Sequence, residues 1–284
     1  MTVLAINIAF PAIIFLLWYT AAGGGVAING YFNTPEYRIE YIEREITGPV
    51  VFGRHCHAQY EMVTLVDGDI SILIDGKQYP MSRNQTVIHP PMLYHAILAN
   101  SPCTYKRVNA FFDLSAVPAP LQESFRQKTS EVVFFTSESA LELKGLCAAE
   151  TPDYYNYYRA QVQSLMTLMF YQFTENDLTL PAPRKTDPVT QEIISYIDRN
   201  LDKKITLEDL AAHTFRSQSA IVHCFRKSMG ISIKQYILQK KMVLAQQMIQ
   251  NNVPMSVAAA EIGYDNYSSF YRAYTKHVTN ESGS

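Results

Sequence analysis

The chain has 284 residues, 48% of them hydrophobic and 18% charged. That balance excludes intrinsic disorder and leaves room for two domains with separate cores. The net charge of −2 hides an asymmetry: residues 1–183 carry 11 Lys and Arg against 17 Asp and Glu, and residues 184–284 carry 13 against 9. A basic rear half fits a polyanionic partner. Cys56, Cys103, Cys147 and Cys224 are scattered without a C-x-x-C pair, which speaks against a disulfide framework or a structural zinc motif and for a reducing cytoplasm.

Residues 1–35 contain no Lys, Arg, His, Asp or Glu. The run from Val3 to Ala22 is almost wholly apolar, and about 20 residues of helix span about 30 Å. Three readings of residues 1–25 stay open: a membrane tether through 3–22, a non-native start, or a buried first element. Gly23-Gly24-Gly25 reads as a break.

Residues 26–117 read as short β-strands. Tyr37, Ile39 and Tyr41 alternate with Arg38, Glu40 and Ile42. The runs Glu61–Val66 and Ile70–Ile74 each end in Asp-Gly, a pair suited to hairpin turns. Further strands are expected at Gln85–His89 and Cys103–Phe112, and many short strands with regular turns predict a sandwich or barrel. His55 and His57, two apart, project together from a strand. With Glu61, Gly68, Pro90 and His95 they form a constellation. H-x-H-x-x-x-E-x-x-x-x-x-x-G over residues 55–68 resembles the first cupin motif in full. Pro90 to His95 resembles the second in part, with Met92 in place of its Gly and Asn84 near the preceding Gly position. His55, His57, Glu61 and His95 are therefore the candidate ligand-binding residues. Three imidazoles and a carboxylate suit a divalent metal, a metal-free polar effector such as a sugar, or a purely structural role. No cofactor is otherwise expected.

Residues 118–177 change character. Leu121–Lys128 and Ser137–Ala149 read as helices, and a longer one runs from about Asp153 to Thr174. Its stripe of Tyr158, Val162, Leu165, Met166, Leu168, Met169 and Phe173 suits packing on the β-domain or pairing with a second copy. Residues 178–186, with Pro181 and Pro183, read as a linker.

Residues 187–284 read as all-helical. Asp187-Pro188 is an N-cap followed by Pro at the first helical position. Thr206 to Asp209 resembles a capping box. Ser217 caps the next helix, whose Ile221 and Phe225 face inward, and Gly230 closes it. A long amphipathic helix from Ile233 to Gln250 follows. The pattern then repeats: Met255, Ala259 and Ile262, the turn Gly263-Tyr264-Asp265, then Phe270 and Tyr274. The residues Ile205-Thr206-Leu207-Glu208-Asp209-Leu210-Ala211, Ser217, Ser219, Ile221, Phe225-Arg226-Lys227, Gly230, Ser232, Tyr236, Gly263-Tyr264, Asn266, Ser268, Phe270 and Arg272 resemble the AraC/XylS family of bacterial transcription regulators over about the last 95 residues.

This resemblance implies an α+β multidomain fold: an N-terminal cupin-like β-barrel with a helical appendage and a C-terminal all-α tandem helix-turn-helix domain. It implies a non-enzymatic, cytoplasmic, ligand-responsive regulator that binds double-stranded DNA and a small-molecule effector. A homodimer and contact with RNA polymerase go with it. The alternative is a metal-dependent cupin enzyme with an appended DNA-binding domain. Each recognition helix would enter a major groove, two segments about 34 Å apart. Gln218, Ser219, Val222 and His223 in the first, and Tyr267, Ser268, Tyr271 and Arg272 in the second, are the base-facing candidates; Arg272 also fits a helix-bridging role. Arg226, Lys227, Lys240, Lys241 and Lys276 are the phosphate candidates. His223 stands where the family usually has Arg. Thr279 takes the place of a Gly that in the family precedes a further helix, which predicts weaker folding of the second unit or lost DNA binding.

Overall fold

The computed structural model describes residues 27–130, 132–147, 155–175, 178, 182–183 and 187–281. The readings of residues 1–25, and most of the linker, fall outside them. Among the described residues no helix is long and apolar enough to cross a membrane.

Among the described residues there are ten strands, nine before the first helix and the last after it: β1 (Ala27–Asn33), β2 (Tyr37–Ile46), β3 (Val50–His55), β4 (Tyr60–Asp67), β5 (Ile70–Ile74), β6 (Lys77–Pro80), β7 (Gln85–His89), β8 (His95–Ala99), β9 (Cys103–Phe112) and β10 (Phe134–Thr136). They form two antiparallel sheets, of order β1-β2-β9-β4-β7-β10 and β3-β8-β5-β6. The sandwich or barrel expected from the strand pattern is built from these two sheets. Both Asp-Gly pairs turn the chain as expected. Asp75 and Gly76 have φ of 45° and 78°, the doubly positive geometry that closes a two-residue hairpin between β5 and β6.

Strand alternation assigns each face. In β4, Val63 and Leu65 join Ile72, Ile97 and Tyr105 between the sheets. Tyr60 and Met62 point the other way, onto the helices α1 (Gln122–Lys128), α2 (Glu138–Cys147) and α3 (Tyr155–Glu175). Val162, Met166, Met169, Phe170 and Phe173 of α3 are fully buried there. Leu168, counted in the predicted apolar stripe, is instead 53% exposed. The buried stripe is narrower than expected, and α3 keeps a second, solvent-facing side.

The helical part contains α4 (Pro188–Arg199), α5 (Leu207–Thr214), α6 (Gln218–Met229), α7 (Ile233–Gln250), α8 (Met255–Glu261) and α9 (Tyr267–Glu281). Its caps follow from single residues. The side chain of Asp187 accepts from the Thr190 amide. Thr206 and Asp209 form a reciprocal capping box, Ser217 caps α6, and Ser232 with Gln235 boxes α7. Gly230 ends α6 in the left-handed region, φ 71°. Ile193, Ile197, Leu210, Ile221, Phe225 and Tyr236 build the core of the first unit. Met242, Ala245, Ala258, Ala259, Ile262 and Phe270 build that of the second.

Candidate functional site

Four strand ends and one loop bring one titratable cluster to the edge of the sandwich. His55 ends β3 and pairs across to His95, which begins β8. A bulge at Gly53 (φ 66°) turns the end of β3. Glu61 of β4 lies opposite His89, the last residue of β7, and His57 lies in the loop between β3 and β4. The His95 ring lies 4.6 Å from that of His55, 5.1 Å from that of His57 and 4.1 Å from that of His89, centroid to centroid. One donor atom from each of His55, His57, Glu61 and His95 lies within 4.8 Å of all the others. The four predicted ligand residues therefore converge. His89 and Asn109 belong to the same network and were not anticipated. The Asn109 amide donates to Glu61 Oε1 at 2.7 Å, and His89 Nδ1 lies 3.4 Å from Glu61 Oε2. Only the cross-strand register reveals them.

Glu61 is 3% exposed. Burial alone would raise its carboxyl, but hydrogen bonds from His57, His89 and His95 outweigh that and hold it well below the usual carboxylate range. Burial, then the neighbouring His89, pushes His95 down to about 4, and burial also lowers His89. At neutral pH Glu61 is thus a carboxylate against the uncharged rings of His89 and His95. The cavity reaching the cluster, between His95, Tyr94, Arg54 and Met229, holds about 10 Å³, scarcely room for one water.

The helical part presents two faces. On α6, Gln218, Ser219, Val222, His223, Arg226 and Lys227 are all exposed; on α9, so are Tyr267, Ser268, Tyr271, Arg272 and Lys276. Arg272 faces solvent, so its alternative helix-bridging role is set aside. Two of the predicted phosphate ligands do not belong in this set. Lys240 and Lys241 are 4% and 6% exposed. Lys240 Nζ donates to Met92 O at 2.8 Å and pairs with Asp198 at 2.9 Å. Lys241 Nζ donates to Lys203 O at 2.6 Å and Ile262 O at 2.5 Å. Their aliphatic stems run through the core and their ammonium groups satisfy carbonyls that end other segments, so neither reaches solvent. Phe215, in the turn before α6, is 92% exposed with φ 52°. Its exposure had no sequence signal.

The two parts touch along α7. Cys56 and Tyr94 of the sandwich are buried in the core of the first unit, with Ala58 and Met92 packed against it. Tyr94 and Tyr236 rings meet at 5.3 Å. Gln191 donates to Asp75 O at 2.5 Å and Gln247 to Ala58 O at 3.2 Å. Burial, opposed by Lys240, raises the Asp75 carboxyl to about 6. The Arg54 guanidinium lies over Gly230, 2.5 Å from where a Cβ would sit.

A family model described as a helix-turn-helix domain matches residues 210–280. The probable transcriptional regulator LumQ of Photobacterium leiognathi is 33% identical over 36% of this chain and 42% of its own. The multiple antibiotic resistance protein MarA of Escherichia coli is 28% identical over 33% of this chain and 76% of its own. The chain spans less than half the length of the first curated relatives it matches. Among solved structures, ToxT from Vibrio cholerae overlays with a TM-score of 0.38 at 9% identity, over 85% of this chain and 94% of that one. Matched residues, relatives and the two capped units around one long helix agree: the C-terminal part of the chain is an AraC-type helix-turn-helix domain.

Proposed function

We propose that the chain is a sequence-specific transcription regulator that reads duplex DNA with α6 and α9 and is controlled by an effector at His55, His57, Glu61 and His95. The observation that carries this reading is the exposure of every base-facing candidate on both helices. The effector acts through differential affinity for docked and undocked arrangements of the two parts. The contacts through Met92, Tyr94, Cys56 and Ala58 make such a difference physical. Three of the relatives carry the names of transcription regulators or activators, and the enzyme alternative has no support among them.

Exposed Arg226, Lys227, Arg272 and Lys276 offer four phosphate contacts. Log K should then fall against log salt with a slope of about −3 to −4. Fluorescence anisotropy with a duplex enriched from a random library by the full chain tests this. Failure to enrich any duplex, or binding insensitive to salt, refutes it. We further propose a homodimer through the outer side of α3, where Tyr157, Leu168 and Tyr171 are 60%, 53% and 45% exposed at helical spacing. Sedimentation of wild type against Leu168→Glu measures it. Contact with RNA polymerase, and a place in the cytoplasm, follow from the same reading.

A further inference from the structure

The first residue of each exposed helix, α6 and α9, is tied back to the start of the helix before it. In the second unit the Tyr267 hydroxyl, opening α9, donates to Met255 Sδ, opening α8, at 3.4 Å. In the first unit Gln218, opening α6, donates through Nε2 to Glu208 Oε1 at 2.9 Å, and Glu208 is the second residue of α5. Both members of this pair face solvent. The anchor is fixed at its own end. Thr206 and Asp209 close their capping box around Glu208, so its backbone sits in a well-satisfied first turn. Its carboxyl is held below the usual carboxylate range, first by its own backbone amide and then by Gln218. At neutral pH Glu208 is therefore ionised and can only accept.

That decides what Gln218 has left to offer. A free glutamine amide carries two N–H donors and one acceptor oxygen, and it can turn either edge outward. A carboxylate has nothing to give to the oxygen, so the nitrogen faces Glu208 and one N–H is spent there. One N–H and Oε1 remain. In the major groove adenine shows an acceptor, N7, beside a donor, N6, whereas guanine shows two acceptors, N7 and O6. The remaining pair matches adenine; against guanine, Oε1 would meet O6 with no proton between them. We infer that Glu208 is a positioning residue that sets Gln218 to read adenine, which rests on the regulator reading and names the base recognised at one position of the duplex. Met255 gives Tyr267 only a weak, uncharged sulfur acceptor, so the second unit lacks this constraint. The arrangement carries a signature of its own. Glu208 holds a negative charge beside a helix that meets phosphates, so removing it relieves repulsion while freeing the amide. A residue that merely held α5 to α6 would instead cost affinity for every sequence when removed.

The test starts from the duplex enriched by the full chain. Enrichment repeated with Gln218→Ala locates the base pair at which preference collapses. Four duplexes differing at that pair, and a scrambled one, are then titrated with wild type and Glu208→Ala in fluorescence anisotropy. Expected are a preference for adenine over guanine of at least about 5-fold in wild type and below about 2-fold in Glu208→Ala, with the scrambled duplex bound by Glu208→Ala as tightly as by wild type or tighter. The exchange of Glu208→Gln together with Gln218→Glu keeps the hydrogen bond with donor and acceptor reversed. It turns a carboxylate outward, so preference should move to cytosine, whose N4 donates. Urea melts confirm that the variants are folded. A wild-type preference for guanine, unchanged discrimination in Glu208→Ala, or equal weakening of all five duplexes overturns the inference and leaves the regulator. So does Gln218→Ala enriching the same sequence as wild type. Failure of the full chain to enrich any duplex removes the regulator reading, and this inference with it.

Discussion

Replacing Lys241 with Met separates two roles that the sequence alone does not distinguish. In the structure its ammonium is buried and donates to Lys203 O, in the loop between α4 and α5, and to Ile262 O, at the end of α8. One side chain thus ties a loop of the first unit to a helix end of the second. Hydrogen bonds from a charged donor contribute about 1.5–3 kcal/mol each. Burial works against them and lowers the Lys241 pKa. Met fills the same volume, avoids that desolvation, and leaves two carbonyls without a donor. We expect a net loss of about 2–4 kcal/mol, read by urea unfolding of the full chain. The salt slope of duplex binding should not move, because no phosphate contact is lost. Lys227→Met, on the exposed side of α6, is the mirror case: stability within about 0.5 kcal/mol of wild type and a slope shallower by about 0.9. A Lys241→Met protein of unchanged stability with a shallower salt slope would refute the reasoning and restore the phosphate role.

Three further outcomes follow from particular contacts. Asp75 has a carboxyl raised to about 6 by burial against α7, so the docked state binds the proton more tightly than the undocked one. Docking is therefore favoured below about pH 4 and weakens as pH rises through about 6; Asp75→Asn should gain at most about 3 kcal/mol at pH 7 and lose the advantage near pH 4, as thermal melts across that range would show. Gly263 has φ 74°, and a Cβ there would sit 2.9 Å from Asp202 O. Gly263→Ala should cost about 1–3 kcal/mol and blur any preference for a fixed spacing between two DNA segments, measured with duplexes of altered spacer. Ser217→Ala removes the cap of α6 and should cost about 1 kcal/mol in a urea melt, with Ser217→Asp restoring it.

Local chemistry was the legible part of this molecule. Asp187, Thr206, Ser217 and Gly230 cap the helices for which their side chains are suited, and Asp75-Gly76 makes the expected turn. The spacing of His55, His57 and Glu61 was enough to bring them together with His95. What sequence reading missed depends on register or on contacts far apart in the chain. His89 joins the cluster only because β7 pairs with β4 at Glu61. Lys240 and Lys241 look like a basic pair on a helix surface. Their burial depends on Met92 and Asp198 in one case and Lys203 and Ile262 in the other, partners no local pattern announces. Leu168 reads as part of an apolar stripe, yet α3 lies on the sheet along the line through Val162, Met166 and Met169, and Leu168 falls off it.

Residues from His55 to Ala58 alternate in their loyalties. His55 and His57 belong to the cluster, while Cys56 and Ala58 belong to the core of the helical part. Tyr94 and His95 repeat the division on the neighbouring strand end. A one-residue insertion or deletion in either segment would exchange the two sets, burying imidazoles against α7 and turning a thiol toward Glu61. The cluster and the docking contacts are therefore inherited together: single substitutions retune either, but a length change here loses both at once.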